Sequence, residues 1–110
     1  MTEPTVLYEA RGAVAIATLN RPQSLNSFTR QMHRDLGEAM ARVESNPGVR
    51  ALVITGAGRG FCAGADLSEF DFEPGKDLVE RADPGPVIDQ AFNPTVRRLQ
   101  ALRVPTIAAV

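Results

Sequence analysis

Hydrophobic residues recur along this chain with two different periods. Thr5 to Glu9 has the composition of a strand, Arg11-Gly12 marks a turn, and Ala13 to Leu19 sets Val14, Ile16 and Thr18 against Ala13, Ala15, Ala17 and Leu19. Alternation on either side of a turn predicts a β-hairpin. The second strand is apolar on both faces, so it is expected to be covered on both sides. Asn20-Arg21-Pro22 ends it, because proline donates no ladder bond and restricts the residue before it. From Ser27 to about Ser45 the spacing changes to three and four, with Phe28, Met32, Leu36, Ala39, Met40 and Val43 on one stripe. That is a helix, with Ser27 as the expected N-cap. Asn46-Pro47-Gly48 stops it, and Val49 to Thr55 returns as a strand. A strand, helix and strand with short joints predict a right-handed parallel crossover.

The pattern then loosens. Asp66 to about Phe70 reads as a short helical piece, and Asp71 to Pro86, with Pro74, Gly75, Pro84, Gly85 and Pro86 among its charges, reads as a mobile loop. A second helix is expected from about Val87 to Leu102; Pro94 inside it implies either a kink or, as the preferred reading, a break with Asn93 capping a fresh start. Thr106 to Val110 is a buried-type strand. Its abrupt end reads as the edge of a fragment, and a chain this short buries a small share of its surface.

With 110 residues and a formal charge of −1, the composition is that of one ordinary globular unit. Near-neutral charge without a basic stripe counts against nucleic acid. No apolar run approaches the roughly 18 residues of a membrane helix, and the N-terminus lacks a signal-peptide pattern, so a cytoplasmic protein is expected. One cysteine, Cys62, excludes an internal disulfide or a cysteine-based zinc site, and no metal site is expected.

Between the strands lies the candidate chemistry. Gly56, Gly58, Gly60 and Gly64 crowd the stretch from Val53 to Phe70, where backbone can approach a ligand and a starting helix offers free amides. Phe61 stands where a dinucleotide fingerprint needs its third glycine, and the chain has no Lys-Ser or Lys-Thr for a Walker loop. Ile54-Thr55-Gly56 and Gly60-Phe61-Cys62-Ala63-Gly64-Ala65-Asp66-Leu67 are preceded by Leu19-Asn20-Arg21-Pro22 and Ser24-Leu25-Asn26. In order and spacing these blocks resemble the crotonase (enoyl-CoA hydratase/isomerase) superfamily. The resemblance implies an α/β fold, a spiral of repeated β-β-α units of which this chain holds the first two, so that residues 1–110 form the N-terminal part of one crotonase-like domain.

The resemblance also implies an acyl-CoA substrate whose thioester oxygen is held by two backbone N–H groups as enolate charge develops, each worth roughly 3 to 4 kcal/mol in a dry site. By motif position the first donor is the N–H of Ala65. Ser24 and Leu25, with Ala63, Ala65, Asp66 and Leu67, are carried over as substrate and CoA contacts, Asp66 in a supporting role at a helix start rather than as a general base. Coenzyme A belongs to the substrate, so no cofactor is implied. The family's assembly is a homo-oligomer, a trimer or hexamer. Its acid and base carboxylates and second donor lie past a further glycine-rich turn, beyond Val110. Hydratase is the first expectation, with enoyl-CoA or ring-epoxyphenylacetyl-CoA isomerase and, from another class, an RNA-binding relative as alternatives. His33 sits off the main stripe and is expected to be solvated, Cys62 is expected to be a small buried hydrophobe, and the two are not expected to form a nucleophilic pair.

Overall fold

Two strands joined by a tight turn open the chain, and a helix returns it to the same sheet. The computed structural model describes residues 3–69 and 88–110, so the loop expected at 71–86 lies outside the described residues. Strand β1 (Val6–Arg11) pairs antiparallel with β2 (Val14–Leu19), in register from Val6↔Leu19 to Arg11↔Val14. Gly12, at φ +60°, supplies the left-handed residue that a two-residue hairpin turn needs. Helix α1 (Arg30–Ser45) then crosses to β3 (Ala51–Gly56), which lies parallel to β2 from Val14↔Ala51 to Leu19↔Gly56. Strand β4 (Thr106–Ala109) extends the sheet in parallel, in the order β1-β2-β3-β4.

Helix α1 starts two residues later than its sequence suggested. Thr29, not Ser27, is the N-cap, and its hydroxyl accepts from the Met32 N–H at 3.1 Å. The cause lies one residue earlier: both main-chain groups of Phe28 are bonded to the segment 64–66, which holds Phe28 extended and outside the helix. At the other end, the Arg103 guanidinium donates to the carbonyls of Val43, Asn46 and Val49 at 2.9 to 3.0 Å, closing a terminus that leaves carbonyls without intrahelical partners.

The core is a single layer between α1 and one face of the sheet. Met32, Leu36, Ala39, Met40 and Val43 of α1 meet Ala15, Ala17 and Leu19 of β2 and Leu52 and Ile54 of β3, all buried. On the opposite face Leu7, Val14 and Ile107 are 42, 36 and 52% exposed. Coverage of β2 on both sides is therefore not found among the described residues, because the helices that pack here approach from one side.

The expected break at the proline is not found. One π-type turn, Ile88–Phe92, runs directly into α2 (Asn93–Ala101), with Phe92 itself in right-handed helical geometry and no side-chain cap at the junction; the change of hydrogen-bond pattern beside Pro94 accommodates the missing N–H without interrupting the helix. Among the described residues no helix is long and apolar enough to cross a membrane.

Gly56 ends β3 under tight packing. A Cβ there would lie 2.5 Å from the carbonyl oxygens of both Gly60 and Phe61. Backbone cannot yield as a flexible side chain does, so Gly56→Ala is expected to cost about 2 kcal/mol through forced shifts in the turn. A urea midpoint equal to that of the parent chain would show that the turn relaxes freely.

Candidate active site

Two turns leave the same end of the parallel pair β2 and β3, where Leu19 stands beside Gly56. The Leu19 carbonyl reaches past the end of its strand and accepts from the Ala57 N–H at 2.8 Å. In the first turn a single 3₁₀ turn, Pro22–Ser24, leads to Leu25 and Asn26, both left-handed at φ 51° and 57°. Asparagine tolerates that conformation better than leucine does. Asn26 is fully buried. Its Oδ1 accepts from the Arg21 N–H at 2.8 Å, and its Nδ2 donates to the carbonyls of Ala57 and Gly60 at 2.9 Å each. One side chain thus binds both turns together.

Past this joint, Phe28 forms a parallel bridge with Ala65. The Phe28 N–H donates to Gly64 O at 2.7 Å, and the Asp66 N–H donates to Phe28 O at 2.9 Å. Gly64 C=O and Ala65 N–H belong to one trans peptide plane and point in opposite directions. With the carbonyl aimed at Phe28, the Ala65 N–H must face away from the bridge. Among the described residues no group accepts a hydrogen bond from it. Gly64, at φ +111°, provides the backbone conformation that an ordinary side chain would resist. The result is a donor fixed in direction, facing away from the bridge, on a half-buried residue.

Asp66 fastens the far side of this peptide. Its Oδ1 accepts from the Ser68 N–H at 2.9 Å and the Ser68 hydroxyl at 2.7 Å, while Oδ2 pairs with the Arg21 guanidinium at 3.0 Å. Only a 3₁₀ turn, Leu67–Glu69, follows among the described residues. Bonds from Ser68 hold the Asp66 carboxyl below its ordinary value of 3.8 against an opposing push from burial, and Arg21 adds a lesser pull. A folded-state value below the unfolded one means that Asp66 stabilises the fold above about 3.8 and loses that contribution as pH falls through the folded value. Asp66→Asn is therefore expected to flatten the acid limb of a stability-against-pH curve measured by urea melts; an unchanged slope below that pH would contradict it.

Glu69 ties the same segment to α1, its Oε1 accepting from the Arg30 N–H at 2.6 Å in the helix's first turn. The other expected contact residues surround the turn. Ser24 and Leu25 use their N–H groups internally, donating to Arg21 O and Pro22 O, while their carbonyls accept from Ser27 and Ala63. What Ser24 and Leu25 can still offer a ligand is carbonyl lone pairs and, for Leu25, a 37% exposed side chain. Ala63 is exposed and Leu67 is 60% exposed, an apolar rim beside Ala65.

His33 is a correction. It is buried, not solvated, lying against Phe28 with ring centroids 4.7 Å apart and edge-on to Phe92 at 4.3 Å. Its Nδ1 lies 2.7 Å from Thr95 Oγ1, and the Thr95 hydroxyl donates its one proton to Ala91 O. With the hydroxyl proton placed there, Nδ1–H donates to Thr95 Oγ1, while Nε2 is buried without a hydrogen-bond partner among the described residues. Burial lowers the His33 pKa, and the Glu69 charge opposes that shift. His33 and Cys62 border one apolar cavity of about 340 Å³, together with Phe28, Phe61 and Phe92. Yet Cys62 Sγ accepts from the Gly64 N–H at 3.4 Å and His33 bonds Thr95, so the two are not joined as nucleophile and base.

The four-stranded α/β sheet with its helical crossovers places the chain in the crotonase fold class. Residues 9–110 match the enoyl-CoA hydratase/isomerase family, to which this chain belongs. The chain is 43% identical over 105 residues to the 1,2-epoxyphenylacetyl-CoA isomerase of Escherichia coli K12, and 39% identical over 110 residues to a probable enoyl-CoA hydratase of Mycobacterium bovis. These alignments cover 96% and 100% of this chain and 39% of each relative, so the chain spans about two-fifths of their length. An enoyl-CoA hydratase structure from Mycobacterium smegmatis superposes with a TM-score of 0.77 at 34% identity, covering 96% of this chain and 39% of that one.

Proposed function

We propose that the protein carrying this chain binds an acyl-CoA and stabilises the enolate of its thioester, with the Ala65 N–H as one oxyanion donor. The direction of that amide, set by the Phe28–Gly64 bond, carries the reading. As a bond forms or breaks next to a thioester carbonyl, negative charge collects on its oxygen. A fixed donor aimed there lowers the barrier without having to reorganise.

For a hydratase the balance is simple. Water gives up a proton to a base as its oxygen bonds to the β carbon of an enoyl thioester, the double-bond electrons pass into the enolate, and one proton is returned at the α carbon, so that the elements of water are added overall. Hydratase is the first reading, supported by the hydratases among the similar proteins. Isomerisation, in which the product keeps the mass of the substrate, is favoured by the resemblance to the E. coli isomerase and by the three phenylalanines lining the cavity. In either reading Ser24, Leu25, Ala63, Asp66 and Leu67 border the CoA portion. In this reading CoA enters as part of the substrate, with no resident cofactor. A cytoplasmic homo-oligomer, trimer or hexamer, is the assembly that accompanies this function.

Incubating the full-length protein with a 2-enoyl-CoA and, separately, with a 1,2-epoxyphenylacetyl-CoA in ¹⁸O-labelled water separates the two chemistries. A product heavier by one labelled water marks a hydratase, and a rearranged product of unchanged mass marks an isomerase. Absence of saturable binding to any acyl-CoA by calorimetry would remove the proposal altogether.

A further inference from the structure

The Arg21 guanidinium does more than pair with Asp66. Its Nη1 donates to the Ser27 carbonyl at 2.5 Å and reaches the Ser27 hydroxyl at 3.1 Å. Its Nη2 holds Asp66 at 3.0 Å and reaches Ser24 Oγ at 3.4 Å. Ser27 C=O and Phe28 N–H are the two ends of one peptide plane; Gly64 C=O and Ala65 N–H are the two ends of the next. Phe28 N–H joins the planes at 2.7 Å. The order of donors and acceptors therefore runs from the Arg21 cation to Ser27 O, from Phe28 N–H to Gly64 O, and ends at the Ala65 N–H.

Trans peptide geometry gives every link one direction. A carbonyl that accepts a hydrogen bond makes the N–H across its own peptide a stronger donor, so successive links polarise one another. A charged donor at the head strengthens the first link, since charge-assisted bonds are the shorter and stronger kind. Side-chain exposure of 17% for both Arg21 and Asp66 keeps the head of the series largely out of water, where screening would weaken it. Simple ion pairing needs only Asp66. It does not account for a guanidinium whose shortest bond goes to the carbonyl of the peptide that orients the oxyanion donor.

We propose that Arg21 is a positioning residue for the reaction, aiming and polarising the Ala65 N–H through the Ser27–Phe28 and Gly64–Ala65 peptides. The inference rests on the oxyanion reading of Ala65. A guanidinium is suited to the post because its planar fork reaches Ser27 O and Asp66 at once, whereas a lysine ammonium offers one point of charge.

The test is made on the full-length protein with a bound, unreactive acyl-CoA analogue labelled with ¹³C at its thioester carbonyl. In the parent protein the carbonyl stretch is expected at lower frequency than in water, reporting the pull of the donor. Arg21→Gln is expected to move it back towards the water value and to lower kcat about tenfold with little change in KM, a smaller loss than deletion of the donor itself. Asp66→Asn removes the ion pair while Arg21 still reaches Ser27 O, and is expected to move the stretch less than Arg21→Gln does. A stretch unmoved in Arg21→Gln overturns the inference, as does an equal effect of Asp66→Asn, which would reduce Arg21 to its ion pair. If Arg21→Gln folds poorly, Arg21→Lys serves, with an intermediate shift expected and a full parental shift counting against. A parent carbonyl that does not shift at all sinks the oxyanion reading, and this inference with it.

Discussion

Replacing Ala65 with proline is expected to lower turnover by about 10²- to 10³-fold while changing acyl-CoA affinity far less. Proline deletes one N–H and leaves the Gly64 carbonyl in place for Phe28. The fold should tolerate the loss, because among the described residues that N–H holds no partner. Deleting a donor that acts as charge develops lowers kcat, whereas deleting a uniform contact would raise KM instead. Steady-state kinetics and calorimetry on the full-length protein give the two quantities separately. Equal losses in turnover and affinity would show that Ala65 is a binding contact or a structural one, and not the oxyanion donor.

Asn26→Ala should produce the largest loss of stability, about 4 kcal/mol in urea unfolding. Three half-buried main-chain groups, Arg21 N, Ala57 O and Gly60 O, would lose their partner, at about 1 to 3 kcal/mol for each group left unsatisfied. Alanine at φ 57° would add about 1 kcal/mol that asparagine largely escapes. Water entering the space vacated by the amide would recover part of this sum, which is why the expected figure lies below the upper total. A cost under about 1 kcal/mol would mean that the two turns keep their shape without the side chain that joins them.

Local patterns announced the elements better than their edges. The hairpin was legible because alternation flanks Arg11-Gly12, and the crossover because one apolar stripe separates two strands. The N-cap was misplaced because Ser27 and Thr29 are both hydroxyl residues ahead of that stripe. Only the bridge between Phe28 and Ala65, 37 residues apart, decides between them. His33 was misjudged for a related reason. Its own helix leaves it beside the main stripe, and burial comes from Phe92 and Thr95 of a distant segment. Asn26 and Arg21 appeared in the sequence as motif letters without a job. Besides their near partners, Asn26 bonds Ala57 and Gly60 and Arg21 bonds Asp66, 31 to 45 residues away and beyond the reach of any local pattern. A lone buried asparagine between a proline turn and a helix start was the available signal. The glycine-rich turn was readable as a place where backbone is offered to a ligand, and resemblance singled out Ala65. The direction of its amide required the peptide plane that Gly64 shares with it.

That shared plane has a consequence for experiments that search for active sites by substitution. The proposed group belongs to the main chain, and any residue but proline at position 65 carries it. Alanine scanning passes over the position without a mark, since alanine already stands there. Saturation mutagenesis should return a near-flat profile broken at proline and at residues too bulky for the rim. The sensitive positions should instead be those that shape the backbone: Gly64, Asn26, Arg21 and Gly56. In this protein a map of mutational intolerance would outline the site as a ring, with its reactive centre recorded among the permissive residues.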